Sequence, residues 1–115
     1  MSKTAFFVFR KDLGTFVHVM VNTLDMNEKG HQALIILEDK ATALLFEVIQ
    51  KNRVSSNLFE EVVEKGYLDC VCRACSLKTE TLHIAEAFKL KVSGDMKGHP
   101  SMQDYIDRGF QVIVC

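Results

Sequence analysis

The sequence predicts an α/β domain with a five-stranded, mainly parallel sheet and helices on both of its faces. Short apolar segments alternate along the chain with segments whose apolar residues follow the helical repeat, the patterns typical of buried strands and amphipathic helices. A glycine also separates a helix from the next strand at Gly30, Gly66 and Gly109. Strands that alternate with helices imply a parallel sheet covered on both faces. The length suits one domain, residues 1–115.

The first part of the chain contains two predicted strands and one helix. Residues 4–9 are apolar and include three phenylalanines, which indicates a strand buried on both faces. Apolar residues then follow a helical spacing over residues 13–24, with Asp12 as a natural N-cap and Gly30 as a natural stop. Residues 33–37 form the second apolar strand.

Two further helices are predicted before the third strand. Residues 41–49 repeat the helical spacing, with Asp39 as the candidate cap. The polar residues 55–57 interrupt this pattern. Asn57, with Glu60 three residues later, resembles a capping box at the start of the next helix.

The second half of the chain continues the alternation of strands and helices. Its predicted elements are a strand over residues 67–72, short helices over 73–78 and 81–87, a strand over 89–93, a helix with Pro100 in its first turn, and a last strand over 110–114. These elements complete the five strands of the predicted sheet.

Composition and charge argue against several classes of protein. Hydrophobic residues make up 48% of the chain, and the net charge of -1 gives no reason to expect nucleic acid or an anionic membrane as partner. No apolar run approaches the roughly 18 residues that a membrane span needs. The N-terminus leads into a predicted strand without a signal-peptide pattern, so we expect a cytoplasmic protein whose thiols are reduced.

The cysteines are the residues best suited to carry chemistry. Cys70, Cys72 and Cys75 fall within six residues, and Cys115 follows the last strand. Cys72 stands at the carboxyl end of the third strand, the edge where ligands bind in open α/β sheets. There the amides of the following helix and the adjacent Arg73 would stabilise a thiolate. We therefore expect Cys72 to be the most reactive thiol, while Cys70 is a core residue inside the strand.

Other kinds of site fit the sequence less well. Cys72 and Cys75 form a C-x-x-C pair, but a thioredoxin-like protein would carry such a pair after its first strand. A zinc site needs four ligands, but Cys70, Cys72 and Cys75 supply three, His99 is the one further candidate, and no second C-x-x-C pair is present, so we predict no metal. His99 lies at the same sheet edge, where it could supply a proton or bind a ligand. The chain has no glycine-rich nucleotide motif, and we predict no cofactor.

Three segments in a short chain resemble the DsrE/DsrF-like family. They are F-V-H-V-M at residues 16–20, L-D-C-V-C-R-A-C at residues 68–75 and G-H-P-S-M at residues 98–102. The resemblance covers nearly the whole chain and implies a flavodoxin-like three-layer α/β/α fold that assembles into trimers or hexamers. In the sulfur-relay members of that family, a cysteine after a central strand carries a persulfide from a donor protein to an acceptor protein. That cysteine corresponds to Cys72 here.

The resemblance leads to one main functional hypothesis. The protein would be a persulfide carrier or sulfurtransferase with Cys72 as the nucleophile, activated by Arg73 and the helix N-terminus. Cys75, which has no dependable counterpart in the relay subunits, would resolve the persulfide or form a disulfide with Cys72. His99 would assist from the neighbouring loop. Residues 76–79 replace an arginine-rich turn of the relay subunits, which leaves the acceptor open.

Two other functions remain open from the sequence. The main alternative is a non-catalytic oligomeric binding or regulatory protein with structural or redox-sensitive cysteines, and a dithiol oxidoreductase is a third interpretation. We expect self-association in either case. Phe59 and Phe88 lie outside the clearest core positions, so we expect some of the chain's aromatic surface to be buried at an interface.

Overall fold

A single parallel sheet forms the centre of the molecule. A computed structural model describes residues 1–50 and 53–115. The strands are β1 (Lys3–Val8), β2 (Gln32–Leu37), β3 (Leu68–Cys72), β4 (Val92–Ser93) and β5 (Gln111–Val114). Their order across the sheet is β4-β3-β2-β1-β5, and every neighbouring pair is parallel. The predicted five-stranded parallel sheet is confirmed.

Helices cover both faces of the sheet, as predicted. They are α1 (Leu13–Glu28), α2 (Leu45–Val48), α3 (Val54–Glu64), α4 (Arg73–Lys78), α5 (Leu82–Ala87) and α6 (Met102–Asp107), with a 3-10 helix at Asp39–Leu44. Apolar residues of α1, α2, α3, α5 and the 3-10 helix pack together on one face, around Phe16 and Phe59. Tyr105 of α6 and Phe110 cover the other face. These layers are compatible with the three-layer α/β/α fold.

The predicted limits of α1 are confirmed by its caps. Oδ1 of Asp12 accepts a hydrogen bond from the backbone N–H of Thr15 at 3.2 Å, so Asp12 is the N-cap. At the other end, Gly30 adopts a φ of +89°, a left-handed conformation that costs glycine little. The chain can therefore leave the helix and enter β2 within a few residues.

The segment after β2 differs from the predicted helix. A 3-10 helix comes first, α2 is only one turn long, and Asp39 is not a cap, because the N-cap position falls on Glu38. Asp39 adopts a φ of +49°, a conformation that aspartate tolerates better than most residues. The N–H of Ala41 donates to the carbonyls of Phe9 and Glu38, at 3.2 and 3.0 Å. These backbone contacts replace the side-chain cap that the sequence predicted.

Two other predicted helix starts are also wrong. The α3 helix begins at Val54, so residues 55–57 lie inside its first turn, and Ser56 bonds to the backbone of Arg53 in place of an Asn57–Glu60 capping box. Pro100 precedes the N-cap of α6 and is not in its first turn. The cap is Ser101, whose hydroxyl accepts from the N–H of Asp104 at 3.4 Å.

The aromatic residues expected at an interface belong to the core. Phe59 is completely buried and packs edge-to-face against the half-buried Phe88, with ring centroids 5.5 Å apart. Phe59 belongs to the core cluster and Phe88 packs against it, so they do not support the predicted interface. Among the described residues, no helix combines the length and apolar character needed to cross a membrane.

The edge strand β4 is the shortest element of the sheet. It pairs with β3 only through Val71↔Val92 and Cys72↔Ser93, although the sequence predicted a strand over residues 89–93. The following residues, 94–101, form the loop that leads to α6. This loop carries His99 past the end of β3.

Candidate functional site

The candidate site lies where the connections after β3 and β4 diverge. The connection after β3 enters α4, which packs beside the 3-10 helix on one face, whereas the connection after β4 leads to α6 on the other face. Adjacent parallel strands whose connections leave toward opposite faces open a crevice beyond their carboxyl ends. The residues at 72–75 and the loop at 94–101 meet in this crevice.

Four side chains from three segments converge there. One ligating atom from each of Glu38, Cys72, Cys75 and His99 lies within 4.8 Å of the other three. Nδ1 of His99 is 3.1 Å from Sγ of Cys72, 3.8 Å from Sγ of Cys75 and 3.6 Å from Oε1 of Glu38. The histidine nitrogen is therefore the common neighbour of two thiols and a carboxylate.

Gly98 brings the loop close enough for this contact. Its carbonyl accepts a hydrogen bond from the N–H of Ala74 at 2.9 Å, and the same carbonyl lies 3.6 Å from Sγ of Cys72. A Cβ atom at Gly98 would stand 3.0 Å from Cβ of Ala74, and the residue has a φ of +94°. Only glycine meets both conditions without strain, and its position determines where His99 points.

Threonine hydroxyls hold the other side of the site. The carbonyl of Cys75 accepts hydrogen bonds from Oγ1 of Thr79 at 3.0 Å and from Oγ1 of Thr42 at 3.3 Å. The carbonyl of Asp39, 2.9 Å from Oγ1 of Thr42, shares the same hydroxyl hydrogen, and this hydroxyl is 2.7 Å from that of Thr79. These contacts join α4 to the 3-10 helix and fix the position of Cys75 relative to Glu38.

Burial dominates the electrostatics of Cys72 and Glu38. Cys72 is fully buried, and burial together with the neighbouring Cys75 thiol raises its pKa well above the ordinary range. The N–H of Cys75, which donates to Sγ of Cys72 at 3.4 Å, lowers this pKa but does not offset the burial. Burial also raises the pKa of the Glu38 carboxyl, against the opposing influence of Cys72 and His99.

The structure brings together three of the four predicted site residues. Cys72, Cys75 and His99 come together, as their common sheet edge suggested. Arg73 is exposed, and the stem of its side chain lies beside Gly94, outside the cluster. The expectation that Arg73 and the helix amides would lower the pKa of Cys72 is not met, because a fully buried thiolate loses more hydration than these groups restore.

The two remaining cysteines lie outside the cluster. Cys70 is buried, with its Sγ 3.3 Å from the hydroxyl of Tyr105, and burial raises its pKa to about 11. This position agrees with the prediction of a core residue. Cys115 is partly buried, and burial raises its pKa.

Two clefts reach the cluster. One, of about 480 Å³, is lined by Cys75, His99, Lys40 and Lys78 among others, and the second, of about 420 Å³, is lined mainly by residues of the loop and α6, with Glu38 and His99. Cys75 is 9% exposed and faces the first cleft, whereas Cys72 has no exposed surface. Cys75 is therefore the more accessible thiol, whereas the sequence predicted that Cys72 would be the more reactive one.

Glu38 is the site residue that the sequence analysis did not include. It directly follows the apolar strand β2, at the same sheet edge as Cys72. This position is the one feature of the sequence that could have indicated a role in the site. A glutamate after a strand usually faces solvent, but this residue is only 5% exposed. With Glu38 the cluster contains four potential ligands, so the shortage that argued against a metal site no longer applies.

Comparisons with known proteins identify a relative but no family. No family model matches the chain, and no solved structure matches it. The chain is 28% identical over 119 residues to the uncharacterized protein MJ0733 of Methanocaldococcus jannaschii, a match that covers 96% of this chain and 93% of the relative. The similarity thus extends over the whole domain and is not confined to the cysteine segment.

Proposed function

We propose that this protein carries sulfane sulfur on the Cys72–Cys75 pair, as a persulfide carrier or sulfurtransferase. The observation that supports this most directly is the contact between Sγ of Cys72 and Nδ1 of His99 at 3.1 Å, next to a second thiol that faces a cleft. A histidine at this distance can take the thiol proton. The resemblance of residues 68–75 to the sulfur-relay segment supports the same chemistry.

The order of events follows from the exposure of the two thiols. Cys75 faces the cleft, so its thiolate meets the donor first and attacks the outer sulfur of the donor persulfide. The S–S bond of the donor breaks, the donor thiolate leaves, and a persulfide forms on Cys75. Lys40 and Lys78 line this cleft and would favour the anionic sulfur species there.

A second exchange would move the sulfur inward. The thiolate of Cys72 attacks the outer sulfur of the Cys75 persulfide, so that Cys72 becomes the persulfide and Cys75 returns to a thiolate. His99 holds the proton that Cys72 releases. Release reverses both exchanges: the Cys75 thiolate takes the outer sulfur back from Cys72, and an acceptor thiolate in the cleft then removes it from Cys75. No net oxidation occurs, because each step exchanges one S–S bond for another.

The setting of this chemistry is a reducing compartment such as the cytoplasm. All four cysteines are free thiols in the structure, and free thiols persist where glutathione and thioredoxin keep them reduced. The partners would be a sulfur-donor protein, a sulfur-acceptor protein and further copies of this chain.

Mass spectrometry of the sulfur-loaded protein tests this proposal. The reduced protein is incubated in EDTA with a cysteine desulfurase and cysteine, or with thiosulfate, and digested with trypsin. Cleavage after Arg73 separates the two thiols. Residues 66–73 carry both Cys70 and Cys72, so the peptides are fragmented to locate the sulfur. We expect one added sulfur atom on Cys72 of the wild type, on Cys75 of Cys72→Ser, and on neither Cys70 nor Cys72 of Cys75→Ser. Cys115→Ser is the control and should load normally.

The complete burial of Cys72 favours one other candidate, a non-catalytic binding or regulatory protein with a redox-sensitive dithiol. In that case oxidants would link Cys72 and Cys75, whereas sulfur donors would add nothing to either residue. The wild-type protein can be tested under conditions that load a known relay protein with sulfur. If it gained no sulfur there, the binding or regulatory protein would replace the sulfur carrier as the better-supported function.

A further inference from the structure

We propose that Glu38, Cys72, Cys75 and His99 bind a thiophilic divalent cation, with Zn²⁺ as the best match. All four side chains present a ligating atom to the same small volume. This inference goes beyond the proposed function, since it requires the four ligands but no sulfur donor or acceptor.

The separations from Nδ1 of His99 to the other three ligand atoms fit a tetrahedral ion. Bonds of about 2.0–2.3 Å to zinc place neighbouring ligand atoms of a tetrahedron roughly 3.3–3.8 Å apart. The measured separations from Nδ1 of His99 are 3.1 Å to Cys72, 3.8 Å to Cys75 and 3.6 Å to Glu38. Small adjustments of the half-exposed His99 side chain would bring all three contacts into the tetrahedral range.

The identity of the four ligands selects the cation. Two thiolates and an imidazole prefer zinc over magnesium or calcium, which take oxygen ligands. The carboxylate of Glu38 provides the fourth position. Binding would displace the thiol protons of Cys72 and Cys75 into solvent, so that two thiolates and one carboxylate face the divalent charge.

The burial of Glu38 gives an independent reason to expect a cation. Its side chain is 7% exposed, and a buried carboxylate is stabilised by a positive partner or by several hydrogen bonds. The positive partner available within the cluster is His99, 3.6 Å away and 42% exposed. A cation among the four side chains would neutralise Glu38 more completely than this imidazole.

The residues around the cluster support the ligands in the manner of a metal site. The N–H of Cys75 donates to Sγ of Cys72, and the carbonyl of Cys75 is held by Thr42 and Thr79. Hydrogen bonds of this kind fix the orientation of metal ligands and contribute to affinity. The cleft beside Cys75 and His99 provides a path by which a hydrated ion could enter.

A bound cation would also control access to the thiols. The same two sulfur atoms cannot hold Zn²⁺ and a sulfane sulfur at once. Zinc would therefore protect Cys72 and Cys75 from alkylation and from sulfur donors until a chelator or a competing ligand removed it.

Titration with Co²⁺ tests the metal site directly. The fully reduced protein, freed of metal with EDTA and of sulfane sulfur with cyanide, is titrated with Co²⁺ and then with Zn²⁺. We expect one equivalent of Co²⁺ to produce the charge-transfer absorption of thiolate ligands and the visible bands of tetrahedral cobalt. One equivalent of Zn²⁺ should abolish both. Absence of the thiolate charge-transfer band at stoichiometric Co²⁺ would overturn the proposal.

Variants identify the ligands. We expect Cys72→Ser and Cys75→Ser each to weaken the charge-transfer band, because one of its two thiolate ligands is removed. We expect Glu38→Gln and His99→Ala to weaken Zn²⁺ affinity by at least about tenfold in a chelator competition. Glu86→Gln, at an exposed position of α5, matches the charge change of Glu38→Gln, and Cys115→Ser matches the thiol change. Binding that survives Glu38→Gln and His99→Ala unchanged, in folded protein by circular dichroism, would contradict the assignment.

The metal titration and the sulfur-loading experiment can succeed or fail independently of each other. Sulfur loading is measured in EDTA, whereas the titration uses protein without sulfane sulfur. A protein that binds Co²⁺ through thiolates but gains no sulfur would support the cation site alone, and the reverse result would support the sulfur carrier alone.

Discussion

At the scale of single residues, Gly98 determines the geometry of the site. Its φ of +94° and the 3.0 Å that would separate an added Cβ from Cβ of Ala74 leave no room for a side chain. Its carbonyl also accepts a hydrogen bond from the backbone N–H of Ala74. A side chain here would push the loop away from α4 and separate His99 from Cys72.

We predict that Gly98→Ala destabilises the fold by about 1–2 kcal/mol and weakens the site. Gly30→Ala is the matched control, because Gly30 has a similar φ of +89° but no atom within 4 Å of the added Cβ. Urea unfolding should show a backbone cost for both variants. Only Gly98→Ala should reduce the thiolate band of bound Co²⁺, and an equal reduction in Gly30→Ala would contradict this view.

At the scale of elements, α4 is held to the 3-10 helix by buried hydroxyl groups. Thr42 is completely buried, and its one hydroxyl hydrogen is shared between the carbonyls of Asp39 and Cys75. Thr42→Val retains the shape of the side chain but removes the hydroxyl that bonds to the Asp39 carbonyl and lies against the Thr79 hydroxyl. We therefore predict a loss of about 1–3 kcal/mol in the free energy of unfolding.

The control for this variant is a second buried threonine. Thr23 donates to the carbonyl of Val19 within α1, far from the site in sequence. Thr23→Val should change stability without changing Co²⁺ binding or the alkylation rate of Cys75, whereas Thr42→Val should change all three. If Thr42→Val altered stability alone, the hydroxyl contacts would have no role in positioning Cys75.

The elements also show what the sequence could predict. Periodicity and glycines located α1, β2, β3 and α4, because these depend on local spacing and on which residues end a helix. The 3-10 helix after β2 was missed, since a left-handed Asp39 and backbone contacts to Phe9 decide it. The predicted order of strands and helices placed Cys72 and His99 at one edge of the sheet. Their contact with Glu38 depends on the conformations of loops, which the spacing of apolar residues does not predict.

At the scale of the whole molecule, buried thiols make the fold sensitive to alkaline pH. Burial raises the pKa of Cys70 from its ordinary 9.0 to about 11. The native state therefore holds this proton more tightly than the unfolded chain does. The associated stability is fully present below pH 9 and is lost as the pH rises through about 11, by roughly 2–3 kcal/mol.

Urea unfolding at several pH values between 8 and 11 measures this effect. We expect the free energy of unfolding to fall with pH in the wild type, and to fall less steeply in Cys70→Ala. Parallel slopes for the two proteins would mean that Cys70 does not titrate differently in the folded and unfolded states.

The surface of the molecule suggests where copies could associate. Phe46 and Leu77, 43% and 55% exposed, line one surface depression together with His83. We predict that the protein is larger than its 13.0 kDa chain by light scattering at micromolar concentration, and that Leu77→Asp shifts it toward the monomer. A wild-type mass of a single chain would rule out stable self-association.

The two-residue strand β4 has a consequence for how Cys72 can be reached. The loop that covers this thiol follows a strand that pairs with β3 through Val92 and Ser93, and the Gly98 carbonyl adds one bond to Ala74. With so few backbone bonds, brief opening of this edge costs far less free energy than global unfolding. Labelling of Cys72 should therefore proceed through native-state fluctuations that expose little surface, and its rate should hardly respond to urea below the unfolding transition. Cys70, enclosed between the sheet and Tyr105, should instead react at a rate that rises steeply with urea.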